Sequence, residues 1–334
     1  MSSADEPHAG RAPILVGGEA LFDLVASGGD GNGDAGAVET LTGHAGGGPF
    51  NTARTIGRLR QPVAFLGGLS TDRLGATHAR MLGDDGVGLD CVVRSDDPTT
   101  LALASLDADG VASYGFYTAG TAAAGLTPAD ALAALPAHVA ALHVGTLGLV
   151  LEPLASAMEA VVMRLTGRAM TVVDLNCRPQ AIEDPRTYRA RLARVVARVD
   201  VVKASEEDLG WLDRDLPPLD AARALLQDGG PTVVLLTRGA EGVVVVSAGA
   251  ETPVAAVPAT VVDTIGAGDA FGGGFLAWWT SCGLGAADLA RHDLVVEAAR
   301  FGAVVAARTV AQAGASPPRL PQTVRGRPLD VSDL

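Results

Sequence analysis

The sequence predicts an α/β protein, with a mostly parallel central sheet flanked by helices and a small β-sheet lid. Three observations predict it. From Ala131 onward, short apolar runs of strand length alternate with stretches of helical length, the pattern of a parallel sheet covered on both faces. The first third instead carries paired extended segments around turn residues, which do not fit that regime and read as the lid. Finally, Asp263-Thr264-Ile265-Gly266-Ala267-Gly268-Asp269-Ala270-Phe271 sets a Gly-Ala-Gly turn between a short apolar β run (Val257 to Val262, broken by Pro258) and a helical segment. Ligands of such folds gather at the C-terminal edge of the sheet, where the lid would lie.

Taken in order, Ala12 to Gly18 is apolar and reads as a buried strand, and Glu19 to Val25 continues extended. Ser27 to Ala37 is rich in Gly, Asp and Asn and reads as a flexible polar tip between two extended pieces. A helical pattern runs from Asn51 to Leu59, and Pro62 starts a strand ending near Gly67. Thr100 to Leu106 and Ala112 to Tyr117 flank Asp107-Ala108-Asp109-Gly110, a hairpin signal. Strands follow at His143-Val144, Thr171 to Leu175, Val199 to Val202, Thr232 to Thr237 and Val243 to Ser247, with helical patterns between several of them. Gly272-Gly273-Gly274 interrupts the last apolar helix at roughly 1 kcal/mol per glycine relative to alanine, so a close backbone approach is expected there.

Bulk properties narrow the function classes. A chain of 334 residues can bury one large core or two smaller ones. No run approaches the ~20 apolar residues of a membrane span, and Met1 to Gly10 is polar and acidic, without the regions of a signal peptide, so it reads as a disordered start. The net charge of −13 repels nucleic acid and anionic membranes, so neither is expected as a partner. Cys91, Cys177 and Cys282 are odd in number and widely spaced, which argues for reduced thiols in a cytoplasmic protein and against zinc. The six histidines show no H-x-x-x-H spacing.

The chemistry concentrates at Gly266 to Asp269. Two glycines let successive backbone N–H groups at a helix N-terminus point at one spot, which suits anionic oxygens. Asp269 places a carboxylate beside that spot. An anion hole next to a carboxylate fits a hydroxyl that loses its proton while a phosphoryl group gains charge. An Asp at a helix start is also an ordinary cap, but capping explains neither Gly266 nor Gly268. No strand, G-x-G-x-x-G and helix order supports a dinucleotide fold, and no G-x-x-x-x-G-K-[ST] loop occurs.

At these residues the chain resembles the PfkB (ribokinase-like) family of sugar kinases. Residues 263–269 fit its D-T-x-G-A-G-D signature. Upstream, Gly46-Gly47-Gly48-Pro49-Phe50-Asn51-Thr52-Ala53, running on to Phe65-Leu66-Gly67-Gly68-Leu69-Ser70-Thr71-Asp72, resembles its N-terminal signature. Two signatures in the right order are far more specific than one glycine cluster, and the resemblance covers Ile14 to Pro321. It implies a ribokinase-like kinase domain over 12–321, with lid segments at about 17–43 and 98–117 and terminal tails at 1–11 and 322–334.

The resemblance implies roles residue by residue. Asp269 would be the base, and Gly266, Ala267 and Gly268 would form the anion hole. Gly46, Gly47 and Asn51 would hold the sugar. So would Asp23, in Gly18-Glu19-Ala20-Leu21-Phe22-Asp23, which is similar to the G-E-x-L-x-D of fructokinase-like members. Asp174-Leu175-Asn176-Cys177-Arg178 resembles a D-x-N-x-R pattern shared with 2-keto-3-deoxygluconate kinases, and the fixed guanidinium fork of Arg178 suits a substrate oxygen or a phosphate. Lys203 is the only lysine among 25 basic residues; just after a strand, in a K-x-S pattern, it would reach a phosphate as a point charge. Glu206 would act through water on Mg²⁺, and Thr237, Gly239 and Gly242, matching T-x-G-x-x-G, would turn under the nucleotide. Asp263, with backbone near Gly314, resembles a monovalent-cation loop that takes K⁺.

Two departures stand out: Thr118 follows Phe116-Tyr117 where many members have Arg, and Ala303 stands where many have Asn near adenine. The sequence therefore predicts ATP- and Mg²⁺-dependent phosphorylation of a sugar primary hydroxyl, with motifs most similar to fructokinase. A 2-keto-3-deoxygluconate kinase, another sugar or nucleoside kinase, and a catalytically silent sugar- or nucleotide-binding protein remain as alternatives. Lids of this family can pair between subunits, which admits a homodimer.

Overall fold

A computed structural model of the chain describes residues 11–27, 40–106, 112–227, 229–324 and 326–334. The expected start at 1–10, most of the tip at 27–37 and the turn at 107–110 lie outside them. In chain order the first elements are β1 (Ile14–Gly17), β2 (Leu21–Ser27), β3 (Thr40–Gly46), α1 (Gly48–Arg58), β4 (Val63–Ser70), α2 (Arg73–Asp84) and β5 (Val92–Ser95). Next come β6 (Thr100–Leu106), β7 (Ala112–Tyr117), α3 (Pro128–Ala133), β8 (Ala141–Gly145), α4 (Leu154–Leu165), β9 (Met170–Asp174) and α5 (Pro185–Val196). The remainder are β10 (Val201–Ser205), α6 (Glu206–Leu212), α7 (Pro218–Leu225), β11 (Val233–Thr237), β12 (Val243–Ser247), β13 (Ala250–Val254), α8 (Ala267–Ser281) and α9 (His292–Val310).

The strands form a nine-stranded sheet in the order β13-β12-β11-β10-β9-β8-β1-β4-β5 and a four-stranded sheet in the order β3-β2-β6-β7. Pairings from β5 across to β11 are parallel, and β12 and β13 add an antiparallel edge. The parallel strands are buried on both faces because alternate residues feed different cores. Leu15, Leu142, Val173, Val202 and Val234 pack with α4 and α5, whereas Ile14, Val16, Val172, Val201 and Leu235 pack with α1, α8 and α9. In the lid, β2 pairs antiparallel with β3 and parallel with β6, which pairs antiparallel with β7.

The three glycines of α8 have the close neighbours expected of them. A Cβ on Gly273 would lie 2.7 Å from Thr55 Cβ of α1, and one on Gly274 would lie 3.0 Å from Gly302 Cα of α9. Gly302 is small for the same reason, since its Cβ would lie 2.7 Å from the Phe271 carbonyl. Close approach of α1, α8 and α9 thus offsets the helix cost of these glycines.

Several expectations are corrected. Residues 257–262 form no strand: Pro258 has no N–H to donate, Val261 and Val262 are exposed, and Val262 N–H and Asp263 N–H bond the Val310 carbonyl at the end of α9. The strand preceding the loop is β13, which ends at Val254. Helix α1 starts at Gly48 rather than Asn51, because Pro49 suits the first turn. Strand β10 runs to Ser205, so Lys203 lies inside it rather than after it. The expected tail at 322–334 packs on the body: Val324 and Leu329 are buried, and Leu329 N–H bonds Ser281 Oγ at 2.9 Å.

Candidate active site

The C-terminal ends of β1, β8, β9 and β10 converge with the N-termini of α1 and α8. Gly266 holds φ +76° just before α8, a left-handed turn in which any Cβ would lie 2.6 Å from Ala315 Cβ. The turn exposes the first amides of α8, whose N–H groups have no acceptor within the helix. Ala267 N–H is taken by the Thr264 carbonyl at 3.3 Å. Of Gly266, Ala267 and Gly268, expected to form an anion hole, Ala267 thus has its amide engaged, while Gly268 and the next residue, Asp269, present theirs at the start of the helix.

Asp269 is buried, and its Oδ2 accepts the Asn51 side-chain amide at 3.0 Å. Thr52 Oγ1, one residue on, donates to the Asp269 carbonyl at 3.4 Å. Burial pushes the Asp269 carboxyl up to about 6; the Asn51 bond opposes it, nearby Asp174 adds to it, and Lys203 and Arg178 counter it. A carboxylate with that pKa is ionised at neutral pH yet more basic than a free Asp, which is what a general base for an alcohol requires. Asn51 Oδ1 is buried without a hydrogen-bond partner in the protein and offers an acceptor at the same spot.

Lys203 runs beneath this turn. Its Nζ bonds Asp174 Oδ2 at 2.7 Å, both groups being buried, and lies 3.2 Å from where a Cβ on Gly268 would stand. Burial works to lower the Lys203 pKa, but the Asp174 carboxylate, with Asp208 and Asp269 adding to it, reverses this and keeps the ammonium charged. Gly268 and Gly272 give the lysine its channel, Gly272 standing against Lys203 Cδ and His143 Nε2. His143, fully buried and next to Lys203, is pushed down to about 3 and stays neutral.

The residues expected on the sugar side meet at the lid. Asp23 on β2 lies against Gly46 so closely that a Cβ there would overlap its carboxylate. Burial raises Asp23 to about 6, opposed by His44, its cross-strand neighbour, and by Arg178. Arg178 uses Nη1 on the Asn176 and Cys177 carbonyls, and its charge reaches both Asp23 and Asp269. Gly47, at φ +107°, leaves room for the Glu19 carbonyl. Thr146 and Asn176 both adopt positive φ, at 54° and 35°, and are joined by a 3.3 Å hydrogen bond. Such strain is held only where the surroundings over-determine it.

The remaining predicted residues form a second group. Glu206 pairs with Arg238 at 2.8 Å, and Thr237 Oγ1 donates to the Ala204 carbonyl. Gly239 and Gly242 adopt φ +53° and +97° in the turn joining β11 to β12, where a Cβ on Gly242 would overlap the Val254 carbonyl. Strand β10 links the two groups, with Lys203 below Asp269 and Glu206 three residues on. Asp263 ties two loops, accepting Ile265 N–H at 3.0 Å and Gly314 N–H at 2.8 Å. Sequence reasoning gave no role to Glu19, Thr146 or His143; the signal for Glu19 was an acid directly after an apolar strand.

The Asp269 carboxylate held by Asn51, the first amides of α8 and the buried Lys203 ammonium thus stand together beside the small lid sheet, an arrangement that fits a phosphotransferase acting on an alcohol. The chain belongs to the pfkB family of carbohydrate kinases, whose model matches residues 12–323, and is accordingly an ATP-dependent sugar kinase most similar to fructokinases. It is 36% identical over 270 residues to a fructokinase of Rhizobium leguminosarum bv. trifolii, covering 79% of this chain and 78% of that protein. It is 31% identical over 272 residues to fructokinase-1 of Oryza sativa subsp. japonica, covering 80% and 83%. Among solved structures, the fructokinase from Xylella fastidiosa with bound ATP superposes at a TM-score of 0.80, with 27% identity and 91% and 93% coverage. A fructokinase double mutant from Vibrio cholerae O395 with fructose, ADP and potassium ion bound gives 0.77, with 25% identity and 91% and 94% coverage.

Proposed function

We propose that this kinase phosphorylates the primary hydroxyl of fructose. The observation that carries the reading is the Asn51–Asp269 pair beside the Gly268 amide with Lys203 below it. Asp23, the Gly46–Gly47 backbone and Asn51 bind the sugar hydroxyls, and Arg178 closes the pocket between Asp23 and Asp269. Asp269 takes the hydroxyl proton as the oxygen bonds phosphorus and the bond to the ADP oxygen breaks. The Gly268 and Asp269 amides, with Lys203, hold the charge on the transferring phosphoryl oxygens. Thr237, Gly239, Gly242 and Glu206 shape the nucleotide side.

Mg²⁺ keeps most of its own water and binds chiefly through phosphates; Glu206, on the nucleotide side and paired with Arg238, would reach it through water, and the ion would supply charge neutralisation at the phosphates. The Asp263 loop fits a monovalent cation: each carboxylate oxygen holds one N–H and keeps a lone pair, and the loop backs the anion hole through Ala315 against Gly266. Leu41 and Tyr117 are exposed on the lid, a face suited to a second copy in a homodimer. The three free cysteines suit a reducing cytoplasm.

A second reading is an acid-sugar kinase, favoured by the charges of His44 and Arg178 beside Asp23. ADP release with fructose, ribose, adenosine and 2-keto-3-deoxygluconate separates the two. Fructose is expected to give the highest kcat/KM; preference for the acid sugar overturns the fructose reading, and no release with any acceptor supports a silent binding protein.

A further inference from the structure

Glu19 leaves β1 at the foot of the lid and is fully buried. Its Oε1 accepts the Gly48 N–H at 3.2 Å and its Oε2 the Gly148 N–H at 2.9 Å. Those amides belong to the two segments that frame the base. Gly48 starts α1, which carries Asn51 and Thr52 to Asp269, and Gly148 lies in the 146–149 turn, which carries the strained Thr146. The fit is close on both sides: a Cβ on Gly48 would lie 3.3 Å from Asp269 Oδ1 and would crowd Thr146 Oγ1, and one on Gly148 would lie 3.5 Å from Glu19 Oε2. Gly48 thus stands between two carboxyl groups, bonding one through its N–H and facing the other through its Cα.

We propose that Glu19 is a positioning residue for phosphoryl transfer, clamping the Gly48 and Gly148 backbones so that Asn51 and Thr146 hold fixed places around Asp269. It rests on Asp269 as the base. The clamp also has a charge state. Burial raises the Glu19 carboxyl to about 8, against the pull of the backbone amides and with a further rise from Asp269. From α8 the titratable group facing Glu19 is Asp269, whereas α1 and the 146–149 turn meet it through amides. The Glu19 carboxyl, at about 8, holds its proton to higher pH than Asp269, at about 6, two acids set apart by their surroundings. Above about 8, Glu19 places a second negative charge beside the base and the incoming phosphoryl group.

The test is kcat and KM from pH 5.5 to 9.5 for the wild type, Glu19→Gln and Glu19→Ala, with thermal unfolding of each variant. The wild type is expected to lose kcat with a midpoint near pH 8, set by Glu19. Glu19→Gln keeps the size of the side chain and one acceptor; it is expected to lose roughly tenfold in kcat, hold its KM for ATP and lack the alkaline limb. Glu19→Ala is expected to lose on the order of 100-fold, as misplacement of a reacting group by about 1 Å does. A wild-type profile without an alkaline limb, a limb that persists in Glu19→Gln, or folded variants with wild-type kcat each overturn the proposal. Failure of the base assignment would look different, as near-normal turnover in Asp269→Asn.

Discussion

Asn51 Nδ2 donates to Asp269 Oδ2 at 3.0 Å across 218 positions of sequence, joining the first turn of α1 to the first turn of α8. The bond orients the Asp269 carboxylate and holds its pKa below what burial alone would set. Asn51→Ala should therefore move the acid limb of kcat/KM upward from about 6, because the base becomes harder to ionise. It should also raise the KM for sugar. An acid limb that stays in place would separate Asn51 from the base.

Asp269 also sets a stability cost. Its folded pKa of about 6 lies above the ordinary 3.8, so its contribution is fully present below 3.8 and lost as pH rises through 6. Asp269→Asn should be more stable than the wild type at pH 8, by at most about 3 kcal/mol, with the gap closing as pH falls toward 4. Denaturant melts at pH 4.5, 6 and 8 measure it. A gap that does not change with pH would show that the charge is not what destabilises the site.

Lys203 and Asp174 form a buried pair, so removing one partner strands the other. Lys203→Met should cost about 3–5 kcal/mol. Adding Asp174→Asn should restore much of that stability without restoring the KM for ATP. Recovery of both together would mean that Lys203 serves the fold and not the phosphates.

Much of this was legible in the sequence because it rests on local chemistry. Gly266 and Gly268 announce a tight turn that aims backbone amides at a helix N-terminus, and the alternation of apolar runs with helical stretches from Ala131 onward argues for strands buried on both faces. The β run at Val257 to Val262 misled because apolar composition does not supply a pairing partner, and its amides turned to Val310 instead. The placement of Lys203 failed at a boundary, since a lysine inside a buried strand is intelligible only once Asp174 is seen opposite it. Glu19 shows in the sequence only as an acid after an apolar strand, because its partners are backbone amides at Gly48 and Gly148, which carry no side-chain signal.

Asp263 ties the 261–266 loop to Gly314, and Arg54 Nη1 holds the adjacent Ala315 carbonyl at 3.3 Å. If this loop takes a monovalent cation, wild-type kcat should rise several-fold as KCl replaces tetramethylammonium at constant ionic strength. Asp263→Ala should lower kcat and abolish the response. A variant that still responds to K⁺ would place the cation elsewhere.

The most direct test of the central claim is single-turnover ADP formation with fructose by the wild type and Asp269→Asn, alongside calorimetric binding of both ligands. Binding within about threefold of wild type is expected, with a rate lower by ~10²–10⁴ in the variant, the range for loss of a general base. Near-normal turnover by Asp269→Asn would contradict it.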